Sequence, residues 1–129
     1  MLNKFSIDMI TSFLNKAKEN LKAAEVLLES GCYNASSNRA YFSAFHSALA
    51  VLLNYGIKIE INHGKVQAFF SSELIHRRKI FPAKLKSYLQ DMRIIREIAD
   101  YSETDISKSK CNLQINMAKE FINIISERI

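Results

Sequence analysis

Helix breakers are scarce in this chain, with one proline and three glycines among 129 residues. No segment alternates apolar and polar residues as a half-buried strand does, and no internal repeat or low-complexity tract is present. These absences set aside sheet-based folds and leave an all-α one. Cysteine is equally sparse. Cys32 and Cys111 stand far apart with no CxxC spacing, and no secretory signal pattern opens the chain, so a reduced, cytoplasmic protein with structural cysteines is expected. No apolar run approaches the ~20 residues that a bilayer-spanning helix needs, and no membrane partner is expected. A Gly-rich phosphate loop, a Ser-His-Asp arrangement and a nucleotidyltransferase signature are missing too. The histidines His46, His63 and His76 fall on three segments without HxxxH or His-carboxylate spacing, so neither a metal site nor a cofactor is expected. Any nucleotide chemistry has to come from a partner.

What is present fits one globular domain over residues 1–129, since 48% of the residues are hydrophobic and 24% charged. The formal net charge is +5 and unevenly spread. His76, Arg77, Arg78, Lys79, Lys84 and Lys86 gather around Pro82, whereas Glu97, Asp100, Glu103 and Asp105 follow. A polyanion such as RNA is plausible company for Arg77, Arg78, Lys79 and the nearby Arg93, although a lysine-rich helical surface can also be simply solvated.

Apolar spacing predicts five helices. The first covers about residues 6–30, with Ile10, Phe13, Ala17, Leu21, Ala24 and Leu28 at steps of three and four and a stop at Gly31. The second covers about 33–55 and stops at Gly56. After a short extended stretch, Asn62 caps a third helix through Leu74, in which His63 and Gly64 shape the first turn. Pro82 sits in the first turn of a fourth helix, which ends near Tyr101. Thr104, Asp105 and Ser107 offer caps for a fifth, carrying Cys111, Ile115, Ala118, Ile122 and Ile125. The expected architecture is an antiparallel up-and-down bundle of four long helices plus one short helix. Phe42, Phe45, Phe69, Phe70 and Phe81 read as core.

Polar residues on the second helix break its apolar surroundings. Ser36, Arg39, Ser43, His46 and Ser47 follow at steps of three, four, three and one. With about 3.6 residues per turn they share one face. Such a seam must find hydrogen-bond partners or face a water-filled groove. The fourth helix carries a second polar stripe, Arg93, Arg96, Glu97 and Asp100, followed by Tyr101. Arg96 and Asp100 also suit a simple i,i+4 ion pair. If the two helices pack side by side, their stripes line one groove.

The run Asn38-Arg39-Ala40-Tyr41-Phe42-Ser43-Ala44-Phe45-His46-Ser47-Ala48, then His63-Gly64-Lys65-Val66, then Arg96-Glu97-Ile98-Ala99-Asp100-Tyr101 resembles, in order and spacing, the successive signatures of small prokaryotic HEPN domains. The resemblance covers nearly the whole chain. It implies a helical domain similar to the substrate-binding domains of nucleotidyltransferases. It also implies a toxin that cleaves RNA without metal, as a homodimer, with a minimal nucleotidyltransferase as antitoxin. In several such pairs the antitoxin attaches AMP to a tyrosine after the catalytic motif, which makes Tyr101 the modification candidate. That motif is usually arginine with histidine four to six residues on. Here the helix reads Arg96-x3-Asp100-Tyr101, with aspartate in the histidine's neighbourhood.

Metal-free RNA cleavage needs a base for the 2′-OH proton, an acid for the leaving oxygen and a cation where phosphate charge grows. His46 is the proton-exchanging candidate, Arg39 and Arg96 the phosphate clamp, and Tyr101 a phosphate-orienting group beside Asp100. The alternative is a noncatalytic module that offers its polar groove to a partner nucleotidyltransferase or a nucleotide-like ligand. In that case His46 is a core-edge histidine and Arg39 pairs with Asp100 to hold the helices together.

Overall fold

The computed structural model describes residues 2–129, and every regular element among them is helical. In order these are α1 (Lys4–Glu29), α2 (Tyr33–Asn54), α3 (His63–Phe69) continuing directly into a π-helical segment (Phe70–Arg77), α4 (Lys84–Tyr101) and α5 (Lys108–Ser126). The all-α expectation holds.

Caps explain most of the boundaries. Asn3, Asn62 and Ser107 each accept a backbone N–H from three residues on, at 2.8, 3.0 and 3.1 Å, and so satisfy donors that the first turn leaves free. The Asn3 cap starts α1 at Lys4, earlier than its apolar stripe implies. Gly31 and Gly56, at φ +78° and +76°, turn the chain after α1 and α2 in the left-handed region. Pro82 precedes α4 rather than standing inside it, and its carbonyl accepts Leu85 N–H at 3.1 Å. The third helix also runs past Leu74. Its wider π turns, closed by Arg78 N–H on Glu73 O at 3.0 Å, bring Phe70 into a stack with Phe81 at 5.6 Å.

Helix α2 is central, and α1, α4 and α5 all pack on it. Tyr41, Phe45, Leu49 and Leu52 are buried from α2, together with Ala40, Ala44 and Ala48, whose small side chains let neighbouring helices come close. Phe70, Leu85, Leu89, Met92, Phe121 and Ile125 complete the core from the other elements. Phe69, by contrast, is exposed rather than core, because adjacent helical residues point in different directions and Phe70 takes the buried one. One buried polar side chain joins three helices. Gln114 on α5 donates from Nε2 to Ser37 O at 3.2 Å on α2 and to Met92 O at 2.8 Å on α4.

Candidate functional site

The serines of the α2 seam do not face a groove. Ser36, Ser43 and Ser47 are fully buried, and their hydroxyls donate to Ala24 O at 2.6 Å, Ala40 O at 2.6 Å and Ala44 O at 2.8 Å. A short hydroxyl can satisfy itself on a nearby backbone carbonyl, so it enters a helix–helix contact without water. Arg39 and His46 are too long for this and reach the molecular edge, where both are half-buried.

Two asparagines organise that edge. Arg39 donates from Nη1 to Asn20 Oδ1 on α1 at 3.0 Å and from Nε to Asn38 Oδ1 at 2.8 Å, with Nη2 also on Asn38 Oδ1. Asn38 in turn donates from Nδ2 to Asp100 Oδ2 at 2.9 Å, and Arg96 donates from Nη1 to the same oxygen at 3.2 Å. Arg39 and Asp100 are therefore linked through Asn38, and one polar chain runs from α1 across α2 to α4. Asp100 accepts both of its bonds on Oδ2 and acts as an anchor for Arg96.

The arginine at the end of this chain is underused. Arg96 is 9% exposed, its Nε lies buried with no hydrogen-bond partner, and its one ion pair is with Asp100. A guanidinium carries five N–H donors in a fixed fork; here Nε is shielded and Nη1 bonds Asp100, so the outer Nη face is the part left to meet an anion.

Phe42 is the hub. The Arg39 and Arg96 guanidinium carbons lie 5.1 and 5.7 Å from its ring centroid, and the His46 and His63 rings lie 6.3 and 5.7 Å from it. Two arginines and two histidines thus surround one half-buried aromatic ring, which offers each cation its electron-rich face and keeps water from between them.

The two histidines have different hydrogen-bond histories. His46 Nδ1 is 2.8 Å from Phe42 O one turn earlier, which places the proton on Nδ1 and leaves the Nε2 lone pair free in the neutral ring. The Asn20 amide nitrogen, 3.3 Å from the same Nδ1, is then a packing neighbour, since Asn20 Oδ1 is fixed by Arg39. Burial, first of all, lowers the His46 pKa, and Lys16 and Arg39 push it the same way against the Phe42 carbonyl. His63 Nδ1 is 2.7 Å from Tyr41 Oη. Burial pushes the Tyr41 phenol up to about 12, so it stays protonated and donates to His63. Burial also lowers the His63 pKa, helped by Arg96 and Arg93. The neutral His63 ring accordingly carries its hydrogen on Nε2.

The remaining predicted residues are dispersed. Tyr101 is 79% exposed with its ring 5.9 Å from the Arg96 guanidinium carbon, so it stands at the rim of the cluster and is open to a modifying enzyme. Arg93 pairs with Glu97 at 3.3 Å on the same face of α4. Arg77 is held by Glu73 at 2.7 Å, Arg78 donates to Tyr55 O at 3.3 Å, and Lys79 takes a left-handed φ of 52°. Those three lie at the far end of the π segment, away from Phe42. Among the described residues no group of three or more His, Cys, Asp or Glu side chains is arranged to hold a metal ion.

Asn20, Tyr41 and His63 escape a reading by helix spacing, because they join the cluster through contacts between elements, whereas Phe42 meets Arg39 and His46 on its own helix but reads by spacing as core. Only the placement of Tyr41, Phe42 and His63 within the family-like runs signals them.

The HEPN domain profile matches residues 10–129. A protein of Methanocaldococcus jannaschii whose name provisionally calls it a toxin is 36% identical over 69 residues, covering 54% of this chain. In that match the chain spans about half of the relative, 52% of its length. A second protein of that organism, with the same kind of name, is 28% identical over 115 residues, 88% of this chain and 77% of the relative. A UPF0332 protein of Thermotoga maritima is 26% identical over 122 residues, 94% of this chain and 91% of the relative.

Proposed function

This chain belongs to the HEPN domain family, and on that premise we propose that it is the toxin of a toxin–antitoxin pair, a metal-independent endoribonuclease neutralised by a minimal nucleotidyltransferase. The observation that carries the reading is the gathering of Arg39, Arg96, His46 and His63 around Phe42. The toxin names of two relatives support it. The proposal takes residues 1–129 as one cytoplasmic domain, an antiparallel up-and-down bundle, acting as a homodimer. The exposed apolar side chains of Ile94, Ile98 and Leu113 on α4 and α5 give a dimer a face to bury.

In the proposed reaction His46 Nε2 takes the proton of a ribose 2′-OH. The O2′ attacks phosphorus, the P–O5′ bond breaks, and the imidazolium returns the proton to the departing 5′-oxygen. The products are a 2′,3′-cyclic phosphate and a 5′-hydroxyl. A lowered pKa keeps His46 neutral and competent as a base at neutral pH. Arg96, through its outer Nη face, and Arg39 balance the charge that grows on the phosphate, and His63 donates from Nε2 to a phosphate oxygen. Asp100 positions Arg96, which accounts for a carboxylate where a histidine is usual. Tyr101 orients the phosphate from the rim and is the residue that the antitoxin modifies with AMP.

A second reading is a noncatalytic HEPN module that binds a partner nucleotidyltransferase or a nucleotide-like ligand. It draws support from Asp100, which is tied to Asn38 and Arg96. Induction of this chain alone in a bacterial host separates the two. Growth arrest and fragmented RNA are expected, both lost in Arg96→Ala and His46→Ala. Coexpression with the nucleotidyltransferase should restore growth and add AMP to the intact mass, except in Tyr101→Phe. Normal growth with intact RNA rules out the ribonuclease.

A further inference from the structure

A cleft of about 340 Å³ lies between the α3–π segment and α4. Gln67, Ser71, His76, Lys86, Gln90 and Arg93 line it, and none of the side chains lining it is acidic. Positions 86, 90 and 93 follow one face of α4, and Arg96 stands three residues further along the helix. From Arg93 back to Lys86 the helix rises about 10.5 Å, enough for two or three phosphates of a stacked strand at about 3.4 Å each.

Two buried polar atoms at this cleft lack hydrogen bonds. Gln67 Oε1 has none, and Arg93 Nε has none although Glu97 Oε1 is 3.3 Å away. Buried groups of this kind are rare in folded proteins unless a ligand or water completes them. The opposite wall belongs to the π segment, through Ser71, Ser72 and His76. Such wide turns are frequent at functional sites. Arg93 touches Glu97 without a hydrogen bond, whereas Arg77 and Arg78 are hydrogen-bonded, to Glu73 and to the Tyr55 carbonyl.

Taking RNA as the substrate from the proposed function, we propose that this cleft holds the single-stranded RNA flanking the scissile phosphate. Lys86 and Arg93 contact consecutive backbone phosphates, and Gln67, its amide turning toward the cleft, accepts a ribose 2′-hydroxyl or a base amino group on the Oε1 that has no protein partner. The strand then runs along α4 from Lys86 to Arg96 and Tyr101. It does not follow the Arg77–Lys79 end of the basic cluster.

The test is binding of a fluorescein-labelled 12-mer oligouridylate, by anisotropy at several salt concentrations, in a His46→Ala background that leaves the probe intact. Lys86→Ala and Arg93→Ala should each weaken affinity about three- to ten-fold and reduce the slope of log affinity against log salt by about 0.7. Arg77→Ala, which removes the same charge, should change neither. Unchanged affinity in Lys86→Ala and Arg93→Ala overturns the proposal, as does an equal loss in Arg77→Ala. Because binding is read without cleavage, the cleft stands if these losses appear in a protein that cuts no RNA, and only the catalytic reading then fails.

Discussion

In the proposed reaction His46 and Arg96 carry the chemistry, and each is held by what surrounds it. The Phe42 carbonyl fixes the His46 tautomer, while burial and the cations Lys16 and Arg39 hold its pKa below the ordinary 6.5. Two consequences follow for acid conditions. Cleavage should rise with pH through that lowered pKa and be flat by neutrality, since the base is then unprotonated. Stability should move the same way. A histidine with a depressed folded-state pKa binds protons more readily when unfolded, so its contribution is complete above 6.5 and is lost as pH falls through the folded value. His63 adds to this with the same sign. Thermal melts at stepwise pH should therefore show a falling midpoint below about pH 6.5, and His46→Gln should flatten part of that limb. A midpoint independent of pH from 7.5 to about 5 contradicts the burial argument.

The elements are held in register by a few polar cross-links through an apolar core. Gln114 is the clearest, since one fully buried amide on α5 bonds carbonyls of α2 and α4. Gln114→Ala removes both bonds and leaves a cavity, and it should cost about 2–3 kcal/mol in a denaturant titration. A loss under about 0.5 kcal/mol would mean that the helix contact does not depend on it. Helices were legible in the sequence because apolar steps of three and four, together with Asn62, Ser107, Gly31 and Gly56, mark their extent. The π segment was not, because no residue pattern marks a widened turn, and its place goes with the stack of Phe70 on Phe81, a contact distant in sequence. The site divides in the same way. Arg39, His46, Arg96 and Asp100 are visible as polar interruptions of apolar stripes. Asn20 and His63 are not, because each becomes part of the cluster only when another helix or turn is brought against α2. The seam serines are visible but misleading, since spacing cannot distinguish a hydroxyl facing water from one bonded to a carbonyl in a helix contact.

At the scale of the molecule, the +5 charge and the HEPN framework favour a polyanionic substrate. The Phe42 cluster is where such a substrate would meet the outer Nη face of Arg96 and a neutral imidazole together. In the proposed reaction these groups use the ribose 2′-OH as nucleophile and guanidinium as the cation. The most direct test is incubation of the purified chain with a short RNA in excess EDTA, beside the same RNA with a single 2′-deoxy substitution at the cleaved position. Expected are cleavage in EDTA, a 2′,3′-cyclic phosphate on the upstream fragment, complete protection by the 2′-deoxy substitution, and a loss of at least about 100-fold in His46→Ala, on the order of a general base's contribution. Cleavage that stops in EDTA, or that persists at the 2′-deoxy position, would contradict the proposed reaction.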